Sequence, residues 1–476
     1  MFQDRTASSG LFTDFYELTM AQGYVLRGME SMPASFDYFF RDAPFGGHCA
    51  VFAGLDSLIE AIREFRFGPQ AIAYLRAQGF TDAFLRWLTE FRPDVQLEAA
   101  GEGSIIFPNT PALQLSGPVA HCLLLETLCL NVLNFQSLIA TKASRMAAEL
   151  KEGQFIIDFG LRRGHGLSGL HASRAACIGG VEQSSNVLSG LEHGHAVAGT
   201  HAHAWIQSFE SELAAFRAYA DTYPESCILL VDTYDTLGSG VPNAITIGKE
   251  MKARGEQLLG IRLDSGELTT LLPAVRSMLD DAGLHNVKIA VSDGIDEYKI
   301  RELNRLSARP DVFGVGTRLI TAHGDPALNG VYKLNEIDGR PILKRSDDAA
   351  KTTLPGRKKL YRLQKPDAGG NARFCGDVIT LENEAVPENQ LRGGAEALDF
   401  RPVVWHSRSG TGPAAAPLSE LRQRMQQQKS KLDAGLFRWQ TQKEQRSPAP
   451  AWDVRLGPEL AKLRDVMRNK AGPASE

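Results

Sequence analysis

The sequence predicts an α/β protein whose central part is a parallel β-sheet with helices between its strands. Short apolar runs typical of buried strands recur between residues 155 and 317, and helical patterns lie between several of them. Strands that alternate with helices form parallel sheets, which are either closed into a barrel or doubly wound. The runs are FIIDFG (155–160), AVAGT (196–200), CILLVD (227–232), LLGIRLD (258–264), VKIAVSD (287–293) and VFGVGT (312–317).

The segment before this region has a different pattern, which predicts small antiparallel sheets combined with helices. Residues 34–41 form a run rich in aromatic side chains, and residues 95–117 alternate short β-like runs with Gly and Pro. Helical patterns cover residues 12–27, several stretches between 54 and 92, and a long stretch from 119 to 150.

The segment after residue 328 again predicts antiparallel strands. GVYKLNEIDGRPILKRS, KKLYRLQ, DVITLEN and FRPVVWHS have the composition of hairpin-forming strands, and the Asp-Gly pair at 338–339 is a strong turn signal. Residues 417–442 predict a polar, basic helix, and a further helical pattern lies near the carboxyl end.

Composition and charge narrow the classes of function. The 476 residues are 43% apolar and 23% charged, which is ordinary for a globular protein, and the net charge is −4. This charge gives no reason to expect binding to nucleic acid or to a membrane surface. The six cysteines form no C-x-x-C pair, so they predict reduced thiols. The apolar stretch 119–133 is too short and too polar for a membrane span, and we expect a cytoplasmic protein.

Polar side chains follow the ends of the predicted strands. In parallel sheets the loops at the carboxyl ends of the strands usually carry the functional site. We therefore expect the chemistry of this protein among these residues, which are Asp158, Thr200, Asp232, Asp264, Asp293 and Thr317.

The segment GTHAHAW (199–205) places two histidines between a predicted strand and a helical pattern. If the segment is extended, His201 and His203 lie on the same side of the chain. The pattern alone leaves three alternatives open. The histidines carry the chemistry of a site at the strand end, or they only cap or pack in a strand-to-helix loop. The third alternative is a zinc site shared with His193 and His195, although no cysteine or patterned carboxylate lies nearby.

Glycine and arginine residues in other strand-end loops suggest phosphate binding. VSDGIDEY (291–298) and VFGVGT (312–317) both place glycine after a strand, where backbone N–H groups can approach an anion closely. GLRRGHG (160–166) adds two arginines, whose planar guanidinium groups match phosphate and carboxylate oxygens. Plain turn chemistry and a solvated basic loop are the alternatives.

Two acidic segments also allow two interpretations each. Arg262 and Asp264 alternate along one strand, so they share a face and form either a salt bridge or a site for an anion and ribose hydroxyls. Asp232 and Asp235 follow another strand, and each is either a Mg²⁺ ligand or a helix cap.

Taken together, these segments resemble the nicotinate phosphoribosyltransferase family. The resemblance runs from residue 13 to about residue 365 in the family's order, and the chain beyond about residue 400 adds little. It is carried by TDFYELTMAQGY (13–24), FRDAPFGG (40–47), DFGLRRGHG (158–166), SSNV (184–187), AGTHAHAW (198–205), LVDTYDTLGSGVPNA (230–244), GIRLDSGEL (260–268), VSDGIDE (291–297), GVGTRLIT (314–321) and GVYKL (330–334).

The resemblance implies an irregular α/β barrel like that of the quinolinate-type phosphoribosyltransferases. It also implies a second, α+β domain that is built jointly from N-terminal and C-terminal segments, which fits the β-rich stretches on both sides of the barrel pattern. We expect residues 1–118 and 329–476 to form the α+β domain and residues 119–328 to form the barrel.

The resemblance further implies a reaction and its partners. The phosphoribosyl group of phosphoribosyl pyrophosphate (PRPP) is transferred to nicotinate, which gives nicotinate mononucleotide and pyrophosphate in NAD salvage. ATP hydrolysis is coupled to this transfer through a phosphorylated histidine. The expected cofactor is Mg²⁺, whose ligands are not assigned, and the expected assembly is a homodimer.

Individual roles follow from the family's motifs. His203 lies at the position of the phosphorylated histidine, Arg262 resembles the group that holds the nicotinate carboxylate, and Asp264 resembles the ribose-hydroxyl ligand. Phe159 would stack on one face of the pyridine ring, and Tyr16 of the neighbouring subunit would stack on the other face. The remaining expected ligands are Thr200 for nicotinate, Arg163 and Arg162 for phosphates, and Gly294, Gly316 and Thr317 for the product phosphate.

One position departs from the family's pattern. His201 stands where the family is not expected to have a histidine, so the motif becomes H-A-H. On the same side as His203, it would either tune the phosphate acceptor or compete with it.

Three other functions compete with this interpretation. The first is a related phosphoribosyltransferase that uses nicotinamide, because Arg262 has a counterpart there too. The second is a catalytically silent protein that senses nucleotides or metals. The third is another phosphate-binding barrel enzyme, such as an aldolase or isomerase, although no lysine ends any of the six strand runs.

Overall fold

The computed structural model of the chain describes residues 10–344, 353–391, 393–437 and 452–469. Contacts between residues divide the chain into two compact units. The α+β unit consists of three stretches of the chain: the residues up to 138, residues 327–416 and the residues from 423 onward. The barrel unit consists of residues 139–326 and 417–422.

Helices occur along the whole described chain. They are α1 (Phe15–Leu26), α2 (Leu55–Glu64), α3 (Pro69–Ala77), α4 (Asp82–Glu90), α5 (Val119–Leu124), α6 (Glu126–Ala147), α7 (Ser168–Gly179), α8 (Val187–His193), α9 (His203–Gln207), α10 (Glu212–Thr222), α11 (Val241–Ala253), α12 (Leu268–Asp281), α13 (Glu297–Leu303), α14 (Thr317–Ile320), α15 (Leu418–Ser430) and α16 (Pro458–Asn469).

The strands of the barrel unit have two to four residues, and the longest of the described strands, with eight to ten residues, lie in the α+β unit. They are β1 (Pro33–Phe40), β2 (Ala50–Val51), β3 (Gln96–Ala99), β4 (Ile105–Ile106), β5 (Leu113–Pro118), β6 (Phe155–Asp158), β7 (Gln183–Ser184), β8 (Ala196–Val197), β9 (Ile228–Leu230), β10 (Gly260–Leu263), β11 (Lys288–Val291), β12 (Val312–Val315), β13 (Gly330–Ile337), β14 (Arg340–Pro341), β15 (Lys358–Pro366), β16 (Ala372–Leu381), β17 (Glu396–Asp399), β18 (Val403–His406) and β19 (Val454–Leu456).

The barrel unit contains one parallel sheet, with the strand order β8-β7-β6-β12-β11-β10-β9. The first of these strands along the chain, β6, pairs in parallel with the last, β12, so the sheet curves round on itself. Strands consecutive in sequence are neighbours elsewhere, but β8 and β9 are the two outer strands. The sheet is therefore an irregular α/β barrel with one open seam, as the resemblance implied, and it is not doubly wound.

Apolar patterning explains the burial of strands in the middle of the barrel sheet, whereas the outer strand β8 is exposed. Every residue of β12 is buried, as expected for a strand of a parallel sheet that is covered on both faces. The amphipathic helix α12 buries Leu268, Leu272, Val275 and Leu279, which recur at three- to four-residue spacing on one stripe. This stripe was evident in the sequence, and the helix lies within the predicted range 266–282.

The α+β unit is built from both ends of the chain. Its largest sheet has the order β14-β13-β1-β5-β3-β18, so β1 lies between β5 from the N-terminal part and β13 from the C-terminal part. A second sheet has the order β17-β15-β16-β19. The predicted Asp-Gly turn joins β13 to β14, and Asp338 and Gly339 both have positive φ, as a two-residue hairpin turn requires.

The division between the units differs from the expected boundary at residue 118. It falls at residue 138, inside α6, so α5 and the first part of α6 belong to the α+β unit. The reason is packing, because α5 contacts α1, β1 and β5. The second boundary, at residues 326 and 327, lies close to the expected position at 328.

Several predicted elements differ in detail from the structure. The predicted helix over 119–150 is broken at Leu125 into α5 and α6. Strand β7 was not predicted, because its two residues form no apolar run. The basic helix predicted over 417–442 is α15, and residues 438–442 lie outside the described residues. None of the described helices combines the length and the apolar composition that a membrane span requires.

Candidate active site

The groups of the candidate site, some predicted from the sequence and some not, gather where strands of the barrel end. Phe159 follows β6, Thr233 comes shortly after β9, and Asp264 follows β10. The loop of residues 292–296 follows β11, and Gly316 follows β12. Because these strands are parallel neighbours, their carboxyl ends lie along one edge of the sheet. The structure therefore brings together groups that are up to about 160 residues apart in sequence.

Asp158 shapes this edge but is not available to a ligand. Its side chain is fully buried. One carboxylate oxygen accepts a 2.7 Å hydrogen bond from the backbone N–H of Gly160, and the other accepts from the hydroxyls of Ser173 (2.7 Å) and Ser184 (2.8 Å). These bonds fix the loop that carries Phe159.

Phe159 and Arg262 form the clearest part of a binding site for an aromatic acid. The Arg262 guanidinium carbon lies 5.8 Å from the centroid of the Phe159 ring. The ring lies against Gly314 of β12, where an added Cβ would be only 2.6 Å from a ring carbon. Glycine at position 314 is therefore what leaves room for the ring.

Arg262 is half-buried, and a backbone carbonyl group binds its guanidinium. One of its terminal nitrogens donates to the carbonyl of His201 at 3.3 Å, which orients the guanidinium. Among the described residues, Arg262 forms no salt bridge with Asp264. Burial lowers the pKa of Arg262, and the nearby carboxylates of Asp264 and Asp232 oppose that shift. Its Nε is buried without a hydrogen-bond partner among the described residues.

His203 is the first residue of α9 and lies between two strand ends. Its Nδ1 is 3.1 Å from the hydroxyl of Thr233, and its Nε2 is 3.8 Å from a carboxylate oxygen of Asp264. The side chains of His203 and Asp264 are 40% and 30% exposed, so both remain accessible to a ligand. A histidine oriented by a hydroxyl beside an accessible carboxylate can accept a phosphoryl group or a proton.

Asp264 is fixed by a network of three strand-end loops. Its backbone N–H and the Ser265 hydroxyl both donate to Oδ2 of Asp232 at 2.7 Å. The hydroxyl of the buried Ser292 donates to Asp264 Oδ1. The other oxygen of Asp232 is buried and has no hydrogen-bond partner among the described residues. Asp235, in contrast, caps the following turn through the N–H groups of Leu237 and Gly238.

The side chains of the two histidines in the H-A-H motif have different surroundings. His201 is 7% exposed, and its ring faces Tyr219 and Phe216 of α10. Burial lowers its pKa to about 4. The segment is not extended through His203, because α9 begins at that residue, so the alternation that would place His201 and His203 on one side does not apply.

The other expected ligands lie in exposed loops of the same unit. Asp293 and Gly294 both have positive φ (74° and 62°), which explains the glycine after β11. Gly316 immediately precedes α14, and Thr317 is its first, exposed residue. Thr200 is half-buried, and Arg162 and Arg163 are exposed in a short 3₁₀ turn after Phe159.

The zinc alternative gains no support from the geometry. Within the described residues, no group of three or more His, Cys, Asp or Glu side chains is arranged to hold a metal ion. His195 instead lies 2.8 Å from the hydroxyl of Ser189. The six cysteines, all within the described residues, form no disulfide, and five of them are buried.

Tyr16 belongs to the α+β unit, on the exposed side of α1, and is 45% exposed. The next residue, Glu17, is fully buried. Its carboxylate accepts from the backbone N–H of Thr127 at 3.0 Å and from the hydroxyls of Thr127 and Thr13. Burial raises the pKa of Glu17 to about 7, although these hydrogen bonds oppose the shift.

We expect Glu17 to make stability depend on pH. A carboxyl group whose pKa rises from 4.5 to about 7 on folding costs stability as pH increases through that interval. Glu17→Gln removes the titration and keeps most of the hydrogen bonding. From pH 5 to pH 8, the unfolding free energy of the variant should rise relative to the unmodified chain by about 1–3 kcal/mol.

Urea unfolding of both proteins across this pH range measures the difference. Glu60→Gln, at an exposed position of α2, is the matched control and should show no such trend. A flat difference for Glu17→Gln between pH 5 and pH 8 would contradict the assigned pKa.

Comparison with known proteins shows which family the chain resembles. The model of the nicotinate phosphoribosyltransferase N-terminal domain matches residues 11–134, and the model of the nicotinate phosphoribosyltransferase family matches residues 155–384. The nicotinate phosphoribosyltransferase of Bacillus subtilis is 41% identical over 395 residues, which cover 82% of this chain and 79% of that protein.

Solved structures show the same fold. The crystal structure of human nicotinic acid phosphoribosyltransferase superposes with a TM-score of 0.80 at 28% identity, covering 96% of this chain and 99% of that one. The nicotinate-nucleotide pyrophosphorylase of Pyrococcus furiosus superposes with a TM-score of 0.68 at 25% identity, covering 89% of this chain and 95% of that one.

An open-seamed barrel with an arginine beside an aromatic ring and carboxylates at its strand ends thus defines a barrel-type phosphoribosyltransferase. Within that class, the chain belongs to the nicotinate phosphoribosyltransferase family and is an enzyme of that family.

Proposed function

We propose that this enzyme transfers the phosphoribosyl group of PRPP to nicotinate, giving nicotinate mononucleotide and pyrophosphate in NAD salvage. The observation that carries the proposal is the pairing of Arg262 with Phe159. A guanidinium 5.8 Å from an aromatic ring, at the end of a barrel strand, suits a flat ring that bears a carboxylate. The names of the family's members agree with this substrate.

Nicotinate would lie with its ring on Phe159 and its carboxylate on Arg262, and Thr200 would complete its contacts. A guanidinium favours the acid over the neutral amide, because charge-assisted hydrogen bonds are roughly twice as strong as neutral ones. This preference distinguishes the proposal from a transferase that uses nicotinamide.

The phosphoribosyl part would occupy the neighbouring loops. Asp264 would accept hydrogen bonds from the ribose hydroxyls, since its carboxylate is 30% exposed and oriented by Ser292. Arg163, with Arg162, would contact phosphate groups. Gly294, Gly316 and Thr317, which follow neighbouring strands β11 and β12, would hold the product phosphate.

A Mg²⁺ ion fits these residues. Asp232 has a buried oxygen without a hydrogen-bond partner in the described structure, and Oδ2 of Asp264 lies 3.8 Å from Nε2 of His203. Mg²⁺ usually binds one or two carboxylates together with substrate phosphates and water. When bound, it would offset the negative charge of the departing pyrophosphate.

The chain's own residues supply alignment rather than acid–base chemistry. The nitrogen of nicotinate is already a nucleophile, so no strong base is needed. Phe159 and Arg262 would hold that nitrogen in line with the ribose carbon, and Arg163 would stabilise the charge that develops on the leaving group.

We also propose that ATP hydrolysis is coupled to the transfer through phosphorylation of His203. In this step a ring nitrogen forms a bond to the γ-phosphorus as the bond to ADP breaks. Water later hydrolyses the phosphohistidine and releases phosphate. The phosphoryl group on His203 would add negative charge beside Asp264 and the loops proposed to bind PRPP. Because like charges repel, it would order the site only while Mg²⁺ and substrate are present.

A homodimer with Tyr16 contributed to the partner's nicotinate site completes the proposal. Phe15, Tyr16 and Met20 on α1 of the α+β unit are 59%, 45% and 44% exposed. In the barrel unit, Val187 and Leu191 of α8 are 70% and 82% exposed. Exposed apolar groups concentrated on one helix of each unit suit an interface with a second copy. A cytoplasmic location agrees with six cysteines that form no disulfide in the described structure.

Product analysis tests the function. The purified chain receives PRPP, Mg²⁺ and equal amounts of nicotinate and nicotinamide, with and without ATP. We expect nicotinate mononucleotide, formed faster with ATP and with stoichiometric ADP. Product without an ATP effect would remove the phosphohistidine and keep the transferase. Nicotinamide mononucleotide as the main product would favour the amide-using alternative, and no product from either base would favour a binding protein.

A further inference from the structure

The open seam of the barrel leaves one edge of β9 without a neighbouring strand. On its other edge β9 pairs with β10, where Val231 N–H donates to the Arg262 carbonyl at 3.1 Å. Successive N–H groups of a strand point to opposite edges, so the N–H of Leu230 points into the seam. Leu230 is fully buried, and a buried N–H without an acceptor is costly.

The imidazole of His201 occupies this position. Its Nε2 accepts a hydrogen bond from the Leu230 N–H at 3.2 Å. Because burial lowers the pKa of His201 to about 4, the ring is neutral near pH 7 and its Nε2 lone pair is available. Tyr219 packs edge-on against the ring at 4.6 Å between centroids, which fixes its orientation.

The same residue also contacts the site through its backbone. The His201 carbonyl accepts from a terminal nitrogen of Arg262 at 3.3 Å. Two residues later, His203 Nδ1 lies 3.1 Å from Thr233, which is three residues beyond Leu230. The segment after β8 thus makes two hydrogen bonds with the β9 region and one with β10.

We propose that His201 is a positioning residue that closes the barrel seam between β8 and β9. Its ring substitutes for the missing strand at Leu230, and its carbonyl holds Arg262 in the orientation needed for the substrate carboxylate. His201 does not itself touch substrate in this proposal. The part that concerns the carboxylate rests on the proposed function, whereas the seam closure does not.

The side-chain lengths of Gln and Asn provide the sharpest test. The terminal atoms of Gln reach about as far as Nε2 of histidine, whereas those of Asn reach only about as far as Nδ1. His201→Gln can therefore still accept from Leu230, while His201→Asn and His201→Leu cannot. His285→Leu, in the exposed loop before β11, is the matched control.

Two readouts on the full chain separate positioning from general damage. Hydrogen exchange of the Leu230 amide should be about tenfold faster in the Asn and Leu variants and near the unmodified rate in the Gln variant. The KM for nicotinate should rise about tenfold in the same two variants, with a smaller change in kcat and in the KM for PRPP. His285→Leu should change neither.

Each outcome decides a part of the proposal. Unchanged Leu230 exchange in His201→Asn would overturn the seam closure. Faster exchange with an unchanged nicotinate KM would overturn the positioning of Arg262. If the Leu variant does not fold, the Gln and Asn pair still carries the comparison. If the unmodified chain makes no nicotinate mononucleotide, the proposed function fails, and the exchange measurement still tests the seam.

Discussion

The His203→Ala variant is expected to lose ATP-stimulated synthesis of nicotinate mononucleotide, with coupled turnover falling by at least about a thousandfold. Alanine has no nitrogen to carry a phosphoryl group, and the neighbouring groups cannot replace it. Thr233 and Asp264 contact the ring of His203 but offer a hydroxyl and a carboxylate. At most a slow, ATP-independent transfer should remain.

Three measurements check this expectation. Nicotinate mononucleotide and ADP are quantified together, and incorporation of the γ-phosphate of ATP into the chain is followed as an acid-labile group. His285→Ala, an exposed histidine of the same unit, serves as the control and should keep both coupling and labelling. Unchanged coupled turnover in His203→Ala would exclude the phosphohistidine.

The second large effect is expected at Arg262. Arg262→Met keeps an unbranched stem but removes the guanidinium group and its charge, so kcat/KM for nicotinate should fall by about 10²–10³, mainly through KM. Selectivity for nicotinate over nicotinamide should fall with it, because the neutral amide gains less from the guanidinium. Arg262→Lys should be intermediate, since an ammonium cannot make the paired hydrogen bonds of a guanidinium.

Steady-state kinetics with both bases measure this effect. Arg217→Met is the matched control, since Arg217 lies on α10 of the same unit and pairs with Glu250 in solvent. An unchanged ratio of kcat/KM for the two bases in Arg262→Met would mean that another group recognises the carboxylate.

The fold was largely predictable because apolar runs and helical stripes are local signals. All six predicted runs of the barrel contain strands, and the stripe on α12 matches its buried face. The pattern could not choose between a barrel and a doubly wound sheet, since that depends on the pairing of β6 with β12. Nor could it locate the boundary inside α6, which depends on the packing of α5.

The site was predictable only where a residue type is unusual at a strand end. His203, Arg262 and Asp264 stand out in this way, and the structure brings them together. Thr233 and Ser292, which orient His203 and Asp264, were missed, because hydroxyl residues after strands are common and carry no distinctive signal. The role of Gly314 was missed as well, since it depends on the Phe159 ring. Phe159 follows β6, which is next to β12 in the sheet but far from it in sequence.

The discontinuous α+β unit has a consequence for the nascent chain. Strand β1 pairs with β5 on one edge, but its other edge pairs with β13, and the residues joined there, Phe40 and Gly330, are roughly 290 positions apart. At synthesis rates of 5–20 residues per second, β1 would wait roughly 15–60 s for this partner. The barrel unit is almost entirely one continuous stretch and can form first on the ribosome. Until β13 emerges, the open edge of β1 is where an unfinished chain is most exposed to pairing with a neighbour.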